Sequence, residues 1–264
     1  MIIRILGCHG SELLTRDAQG RSHECKACGF LVNDTCMVDA GSIAGSLHEP
    51  EQDKIRNVLL SHAHFDHIKG VPLLADNMVG RTHGAPISVW GLPEVLHIVR
   101  RHIFNDEVYP DFSRLPTVKD APLVFQPFVD EKPVQFDGLE VVAVRVDHTV
   151  PAVGFLVRDA EAAFLYSGDT GPTRRIWEVA KQERRLKAAF IETSFPNDHK
   201  ELAKASGHLT PEMLHPEILK LGRPDVPIYI YHLKPSFRDR IREDLEALRL
   251  PNLQVLEEGQ TITL

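Results

Sequence analysis

Three histidines and an aspartate crowd into six residues, His62-Ala63-His64-Phe65-Asp66-His67, directly after the apolar run Asn57-Val58-Leu59-Leu60-Ser61. A run of that kind reads as a strand, and the loop at its end can turn alternate side chains toward one point. Burying so many imidazoles with a carboxylate is unfavourable unless a cation compensates them. Neutral imidazole and carboxylate donors suit zinc, manganese or iron(II) far better than calcium. Six residues cannot fill two coordination spheres, so the fold must bring further donors from later strand ends. The sequence offers them. Asp147-His148 follows the run 139–146, Ser167-Gly168-Asp169 follows Ala162 to Tyr166, and His232 follows Ile228 to Tyr231.

The pattern around these positions predicts early strands at Ile2 to Leu6, Gly29 to Asn33, Met37 to Asp39 and Asn57 to Ser61. A helix-like stretch runs from His67 to about Ala75. A strand at Ile87 to Trp90 and an amphipathic helix at Leu92 to His102 follow. The second half repeats the scheme. Strands are expected at Leu139 to Val146, Ala152 to Val157, Ala162 to Ser167, Ala188 to Glu192 and Ile228 to Tyr231. Helix-like segments lie near 173–183, 211–220 and 236–249, and two strand-like runs near 254 and 261 close the chain across a Glu-Gly turn. Two similar halves of strands and helices suggest two sheets packed together with helices outside, although periodicity alone supports only an α/β or α+β chain. A single domain over 1–264 is expected, with a segment at about 100–127 capping a pocket.

The ordered set His62, His64, Asp66, His67, His148, Asp169 and His232 resembles the ligand set of binuclear hydrolases of the metallo-β-lactamase fold, an αββα sandwich. The resemblance implies one divalent ion on His62, His64 and His148, and a second on Asp66, His67 and His232. Asp169 would bridge both, and zinc is the expected metal, with manganese and iron(II) as alternatives. Glu192, at the end of Phe190-Ile191-Glu192-Thr193-Ser194-Phe195, and His208, in Ser206-Gly207-His208-Leu209-Thr210-Pro211, resemble the acid–base pair of transfer-RNA 3′-processing nucleases and their phosphodiesterase relatives. The implied catalytic residues are Asp66, His208 as proton donor or phosphate contact, and Glu192 as the partner that orients His208. Thr210 and Pro211 also read as a helix N-cap and first turn.

Two further segments, His102 to Phe112 and Tyr231-His232-Leu233-Lys234-Pro235, are similar to signatures of class II 3′,5′-cyclic-nucleotide phosphodiesterases. Asn105, Tyr109, Asp111 and Lys234 are the substrate contacts this implies. The equally simple reading of Phe104, Tyr109 and Phe112 is a loop packed onto the body. The implied reaction is hydrolysis of cAMP or cGMP to the 5′-monophosphate, with water acidified by the two metals as nucleophile. A transfer-RNA 3′-end endonuclease is the nearest alternative; a thioester hydrolase and an iron-dependent redox protein share the same fold. Phe65 departs from the leucine usual in that class, and the His23 to Cys28 stretch is not a feature associated with it.

Composition narrows the partners. A formal charge of −7 over 264 residues argues against a broad nucleic-acid-binding surface, leaving a small phosphodiester as the expected partner. No apolar run approaches the roughly 18 residues of a membrane span, and the N-terminus carries no signal pattern. Cytoplasmic residence and a possible homodimer are the resulting expectations. Cys8, Cys25, Cys28 and Cys36 are too few for a disulfide scaffold. Cys25 and Cys28 with His23 form half of a structural zinc pattern, but lacking a second ligand pair they read as a surface loop with reduced thiols.

Overall fold

A computed structural model describes residues 1–16, 20–81 and 85–264. Two seven-stranded sheets carry the chain. In the first, the strands lie in the order Thr261–Thr263, Ile2–Gly7, Gly29–Val32, Cys36–Val38, Asn57–Leu59, Ile87–Gly91 and Leu123–Pro127. In the second the order is Leu253–Val255, Ile228–Tyr231, Leu186–Glu192, Ala163–Tyr166, Val153–Arg158, Leu139–Arg145 and Val134–Phe136. In each sheet four consecutive strands pair in parallel. Parallel strands buried on both faces need continuous apolar runs, which is what Ile228-Tyr-Ile-Tyr231 and Ala163-Phe-Leu-Tyr166 supply.

The sheets face one another through aromatic side chains. The ring of Phe30, from the first sheet, packs edge-on to Tyr166, Phe190 and Tyr231 of the second, at centroid distances of 5.3, 5.4 and 5.5 Å. Helices cover the outer faces. Arg175–Gln182, Pro211–Leu221 and Arg238–Ala247 bury Trp177, Leu214 and Ile241 against the second sheet. Gly70–Met78 and Pro93–His102 bury Val71, Leu74, Val95 and Val99 on the first. Thr210 caps Pro211–Leu221, its hydroxyl accepting from the Met213 N–H at 3.4 Å.

Three local differences from the sequence expectation have physical causes. The stretch after His67 is two helices, Phe65–Ile68 and Gly70–Met78. The Gly70 N–H donates to the Ala40 carbonyl (2.8 Å), while the Ala40 N–H donates to the His67 carbonyl (2.8 Å). A Cβ on Gly70 would stand 2.3 Å from that Ala40 oxygen, so the close approach needs glycine. The closing strands do not pair with each other. Leu253–Val255 joins Ile228–Tyr231 in the second sheet, and Thr261–Thr263 joins Ile2–Gly7 in the first, so residues 256–260 cross between sheets. Finally, Cys8, Cys25, Cys28 and Cys36 are all buried, which overturns the reading of a surface loop around Cys25 and Cys28. The hairpin of Leu13–Arg16 with Ser22–Cys25, which the periodicity did not reveal, folds Cys25 inward.

The segment 103–122 folds onto the first sheet's edge. Phe104 and Phe112 are buried, and Phe104 meets Phe125 edge-on at 5.8 Å. Asn105 Oδ1 accepts from the Glu107 and Val108 N–H groups, Tyr109 OH donates to Asp76 (3.3 Å), and Asp111 accepts from Ser113.

Away from the site, Glu183 ties the second sheet to its helix layer. Its carboxylate accepts from Arg158 Nη1 (2.9 Å), Arg185 Nε (3.1 Å) and the Arg185 N–H (2.9 Å). Burial pushes its pKa up, but the two guanidinium groups outweigh that and hold it at about 2. Glu183→Gln is expected to lower stability by about 1–3 kcal/mol at neutral pH. Because the folded value lies below the ordinary carboxylate value, this contribution is present above the ordinary value and is lost as pH falls toward about 2. Urea titrations of both proteins across that range test it, and a difference that does not shrink in acid would refute it.

A candidate two-metal centre

The two sheets end their parallel strands at one rim, where ligands gather in open α/β architectures because the strand ends point loops and N–H groups the same way. Asp39 leaves Cys36–Val38, Ser61 and His62 leave Asn57–Leu59, Asp169 leaves Ala163–Tyr166, Ser194 leaves Leu186–Glu192, and His232 leaves Ile228–Tyr231. His232 does so at φ +69°, a left-handed conformation that costs a non-glycine residue roughly 1–2 kcal/mol. Its N–H donates to the Cys8 carbonyl at 2.6 Å, which fixes the bend.

Two groups of donors result. His62, His64, His148 and Asp169 each offer an atom within 4.8 Å of the others, and so do Asp66, His67 and His232. Asp169 Oδ2 lies 3.6 Å from His62 Nε2, 3.3 Å from His67 Nε2 and 3.1 Å from His232 Nε2, so it touches both groups. His62, His67, His232 and Asp169 are fully or almost fully buried, while a quarter of the Asp66 side chain is exposed.

Hydrogen bonds on the far side of each ring set its tautomer. Ser61 Oγ donates to Asp39 Oδ2 (2.8 Å) and therefore accepts from His62 Nδ1 (3.0 Å), leaving a lone pair on Nε2. His67 Nδ1 donates to Asp39 Oδ2 (2.7 Å), and His148 Nδ1 donates to the Gly207 carbonyl (2.8 Å). Ser194 Oγ donates to Glu192 Oε2 (2.9 Å) and accepts from His232 Nδ1 (2.8 Å). In their neutral forms His67 and His232 would aim two Nε2 lone pairs at each other across 3.2 Å, and His148 Nε2 faces His64 Nδ1 at the same distance. His62 Nε2 and Asp169 Oδ1 are buried without a partner. Facing lone pairs and orphaned donors of this chemistry fit divalent cations.

The electrostatics agree. Burial, and then His67, hold the His62 imidazole far below its ordinary pKa, and burial likewise lowers His64 and His232. Burial alone would raise both Asp66 and Asp169, but the surrounding histidines outweigh it and keep both well below the carboxylate range. At His67 burial opposes charge, yet Asp169 and Asp39 outweigh it, so the acids call for positive charge at this point. A divalent ion supplies that charge and releases the proton.

Beside the donors, His208 Nδ1 lies 2.8 Å from Glu192 Oε1, and the His208 ring stacks on His232 at 5.2 Å. Burial disfavours charge on His208, but Glu192 outweighs it and raises its pKa. Glu192 Oε1 also accepts from the Thr170 N–H at 3.1 Å. Of the residues expected to meet substrate, Lys234 lies near this pair, its Nζ donating to the Gly10 carbonyl (2.6 Å). Asn105, Tyr109 and Asp111 spend the hydrogen bonds described above on their own segment or on Asp76, and none of those bonds reaches the donor groups.

Sequence reasoning missed Asp39, Ser61 and Ser194 as the residues that orient the rings. Asp39 follows an apolar run as His62 and Asp169 do, so the same strand-end rule could have found it. It accepts from the Ser61 N–H (2.8 Å), Ser61 Oγ, His67 Nδ1 and Tyr166 OH (2.7 Å). Asp39→Asn is expected to weaken metal binding about 10–100-fold, because the amide offers one oxygen to four donors. Competition with a chelating indicator dye measures this, and unchanged affinity would contradict it.

Residues 35–226 match the family model of the beta-lactamase superfamily domain. A probable 3′,5′-cyclic-nucleotide phosphodiesterase of Yersinia pestis is 28% identical over 77% of this chain, which spans only 63% of that protein's length. A 3′,5′-cyclic-nucleotide phosphodiesterase of Aliivibrio fischeri is 25% identical over 86% of this chain and 82% of its own. A ribonuclease Z of Pyrococcus abyssi is 27% identical over 41% of the chain and 32% of its own length. Among solved structures, unliganded yeast PDE1 superposes with a TM-score of 0.82 over 100% of this chain and 99% of its own, at 18% identity. Human tRNase Z, short form, gives 0.68 over 100% and 99% at 15%. The architecture is the metallo-β-lactamase fold, two packed sheets with helices outside.

Proposed function

The chain belongs to the beta-lactamase superfamily, and from that premise we propose that it is a two-metal phosphodiesterase hydrolysing 3′,5′-cyclic nucleotides to 5′-monophosphates. The observation that carries this reading is the Glu192–His208 pair beside two donor groups that share Asp169. The phosphodiesterase names of relatives matching 77% and 86% of the chain support the substrate class. The ribonuclease Z likeness from Pyrococcus covers less than half of it, and the net charge of −7 does not favour a long polyanion.

His62, His64 and His148 would hold one ion, Asp66, His67 and His232 the other, with Asp169 shared. Two divalent ions there, zinc in the first instance, would acidify water and neutralise charge on the phosphoryl oxygens. The chain's own residues supply the rest. Hydrolysis to the 5′-monophosphate breaks the bond from phosphorus to the ribose 3′ oxygen, which leaves as an alkoxide needing a proton. His208 gives Nδ1–H to Glu192, so Nε2 is the atom that delivers this proton. Glu192 fixes the tautomer and favours the charged ring. Ser194 bridges His232, Glu192 and His208, so ligand and acid keep a fixed spacing. Lys234 would add positive charge beside the phosphate, while Asn105, Tyr109 and Asp111 would meet the nucleoside if their segment reaches over the rim.

The test is hydrolysis of cAMP and cGMP by the zinc- or manganese-loaded chain, alongside a transfer-RNA precursor. Chelator-sensitive turnover of the cyclic nucleotides to 5′-monophosphates is the expected result. Cleavage of the RNA alone would overturn the substrate assignment. Among the described residues no helix is long and apolar enough to cross a membrane.

A further inference from the structure

A second cluster of metal-binding side chains lies on the other side of the loop that holds His232. His9, His23 and Cys25 each offer a donor atom within 4.8 Å of the others. Glu258, on the crossing between the two sheets, touches both histidines: Oε1 lies 2.5 Å from His9 Nδ1 and Oε2 lies 3.7 Å from His23 Nε2. His23 Nε2 and Glu258 Oε2 are both buried with no hydrogen-bond partner. Two orphaned polar atoms of opposite character, facing each other too far apart to bond, are costly unless something lies between them.

We propose that His9, His23, Cys25 and Glu258 form a structural zinc site separate from the catalytic centre. Imidazole, thiolate and carboxylate are each donors that zinc takes, and four of them fill its tetrahedral shell. A thiolate and a carboxylate cancel the ion's two charges, so the site can be buried without leaving net charge behind. Zinc bonds of about 2.0–2.3 Å in a tetrahedron put neighbouring donors about 3.3–3.8 Å apart. The His23–Glu258 separation is of that size, and the His9–Glu258 contact need open by only about an ångström. Cys25 is the favoured thiol because its Sγ is the least engaged of the three, with Thr15 Oγ1 at 4.0 Å. Cys8 Sγ donates to the Leu256 carbonyl (3.6 Å) and Cys28 Sγ to the His9 carbonyl (3.4 Å). On binding, the Cys25 thiol gives its proton to solvent, and the proton held between His9 Nδ1 and Glu258 Oε1 leaves as well, freeing both atoms as donors.

The position suggests what the ion does. His23 and Cys25 lie on the hairpin strand Ser22–Cys25, His9 on the loop after the first strand, and Glu258 on the inter-sheet crossing. One ion would join three segments that are distant in the chain. The same loop supports the catalytic centre, since the Cys8 carbonyl accepts from the His232 N–H and a Cβ on Gly10 would stand 2.7 Å from the His232 ring.

The experiment uses the full chain purified in zinc, with Cys25→Ser, His23→Gln and, as a thiol control, Cys36→Ser. Metal analysis after exhaustive dialysis should find one zinc equivalent fewer in Cys25→Ser and His23→Gln than in the wild type or Cys36→Ser. Cobalt(II) exchanged into the wild type should give a thiolate-to-cobalt charge-transfer band in the near ultraviolet, absent from Cys25→Ser. The donors assigned to the catalytic centre contain no sulfur, so that band reports this site alone. Equal zinc content in all four proteins, or a cobalt-loaded wild type without the band, overturns the proposal. If Cys25→Ser does not fold, the wild-type spectrum and the zinc content of His23→Gln still decide it.

Discussion

Replacing Asp169 with alanine is expected to lower kcat/KM for cyclic nucleotides by at least about a thousandfold, a loss of about 4 kcal/mol of transition-state stabilisation. Its Oδ2 stands within 3.6 Å of three ligand nitrogens drawn from both donor groups, and Oδ1 has no other partner. Removing the carboxylate strips each group of its shared acid and leaves Asp39 and Asp66 as the acids beside His67 and His232. Metal content should fall together with activity. Asp169→Asn keeps the shape and loses the charge, so it should lie between alanine and the wild type. A fully loaded alanine variant within tenfold of wild-type kcat/KM would sink the assignment of Asp169 as the shared ligand.

The donor residues were legible because strand-end loops impose a local rule: an apolar run, then a polar side chain at its C-terminal end. His62, His148, Asp169 and His232 all follow it, and the chain order of these positions carries the family likeness. What the sequence hides is contact between residues far apart in the chain. Ser194 and the Gly207 carbonyl orient rings 38 and 59 positions away, and nothing in local spacing marks them. The split of the helix at Lys69 depends on Ala40, a tertiary partner. The final strands illustrate the same limit. A Glu-Gly turn between two short apolar runs suggests a hairpin, but each run finds a better-buried partner in a different sheet, and this carries Glu258 to His9. Cys25 and Cys28 read as a surface loop for want of a second ligand pair nearby in the chain, and the fold that buries them is again a matter of distant partners.

In the proposed mechanism Glu192 links the metal centre to the acid. It accepts from the Thr170 N–H next to Asp169, from Ser194 Oγ, which holds His232, and from His208. Changing it should therefore disturb metal binding and proton transfer together, whereas changing His208 should disturb proton transfer alone. That separation makes His208→Ala the sharper test. Hydrolysis of cAMP by this variant should fall about 10²–10⁴-fold in kcat with zinc content unchanged, the usual contribution of a positioned general acid. The loss depends on the leaving group. A ribose 3′-alkoxide is a poor leaving group and needs the proton, while 4-nitrophenolate departs without one. A 4-nitrophenyl phosphodiester should thus be hydrolysed by His208→Ala within about tenfold of the wild-type rate. Equal losses on both substrates would instead make His208 a phosphate contact, because removing a binding interaction slows every phosphodiester whatever leaves. Zinc lost along with activity would point to the ring stacked on His232 as a support for that ligand.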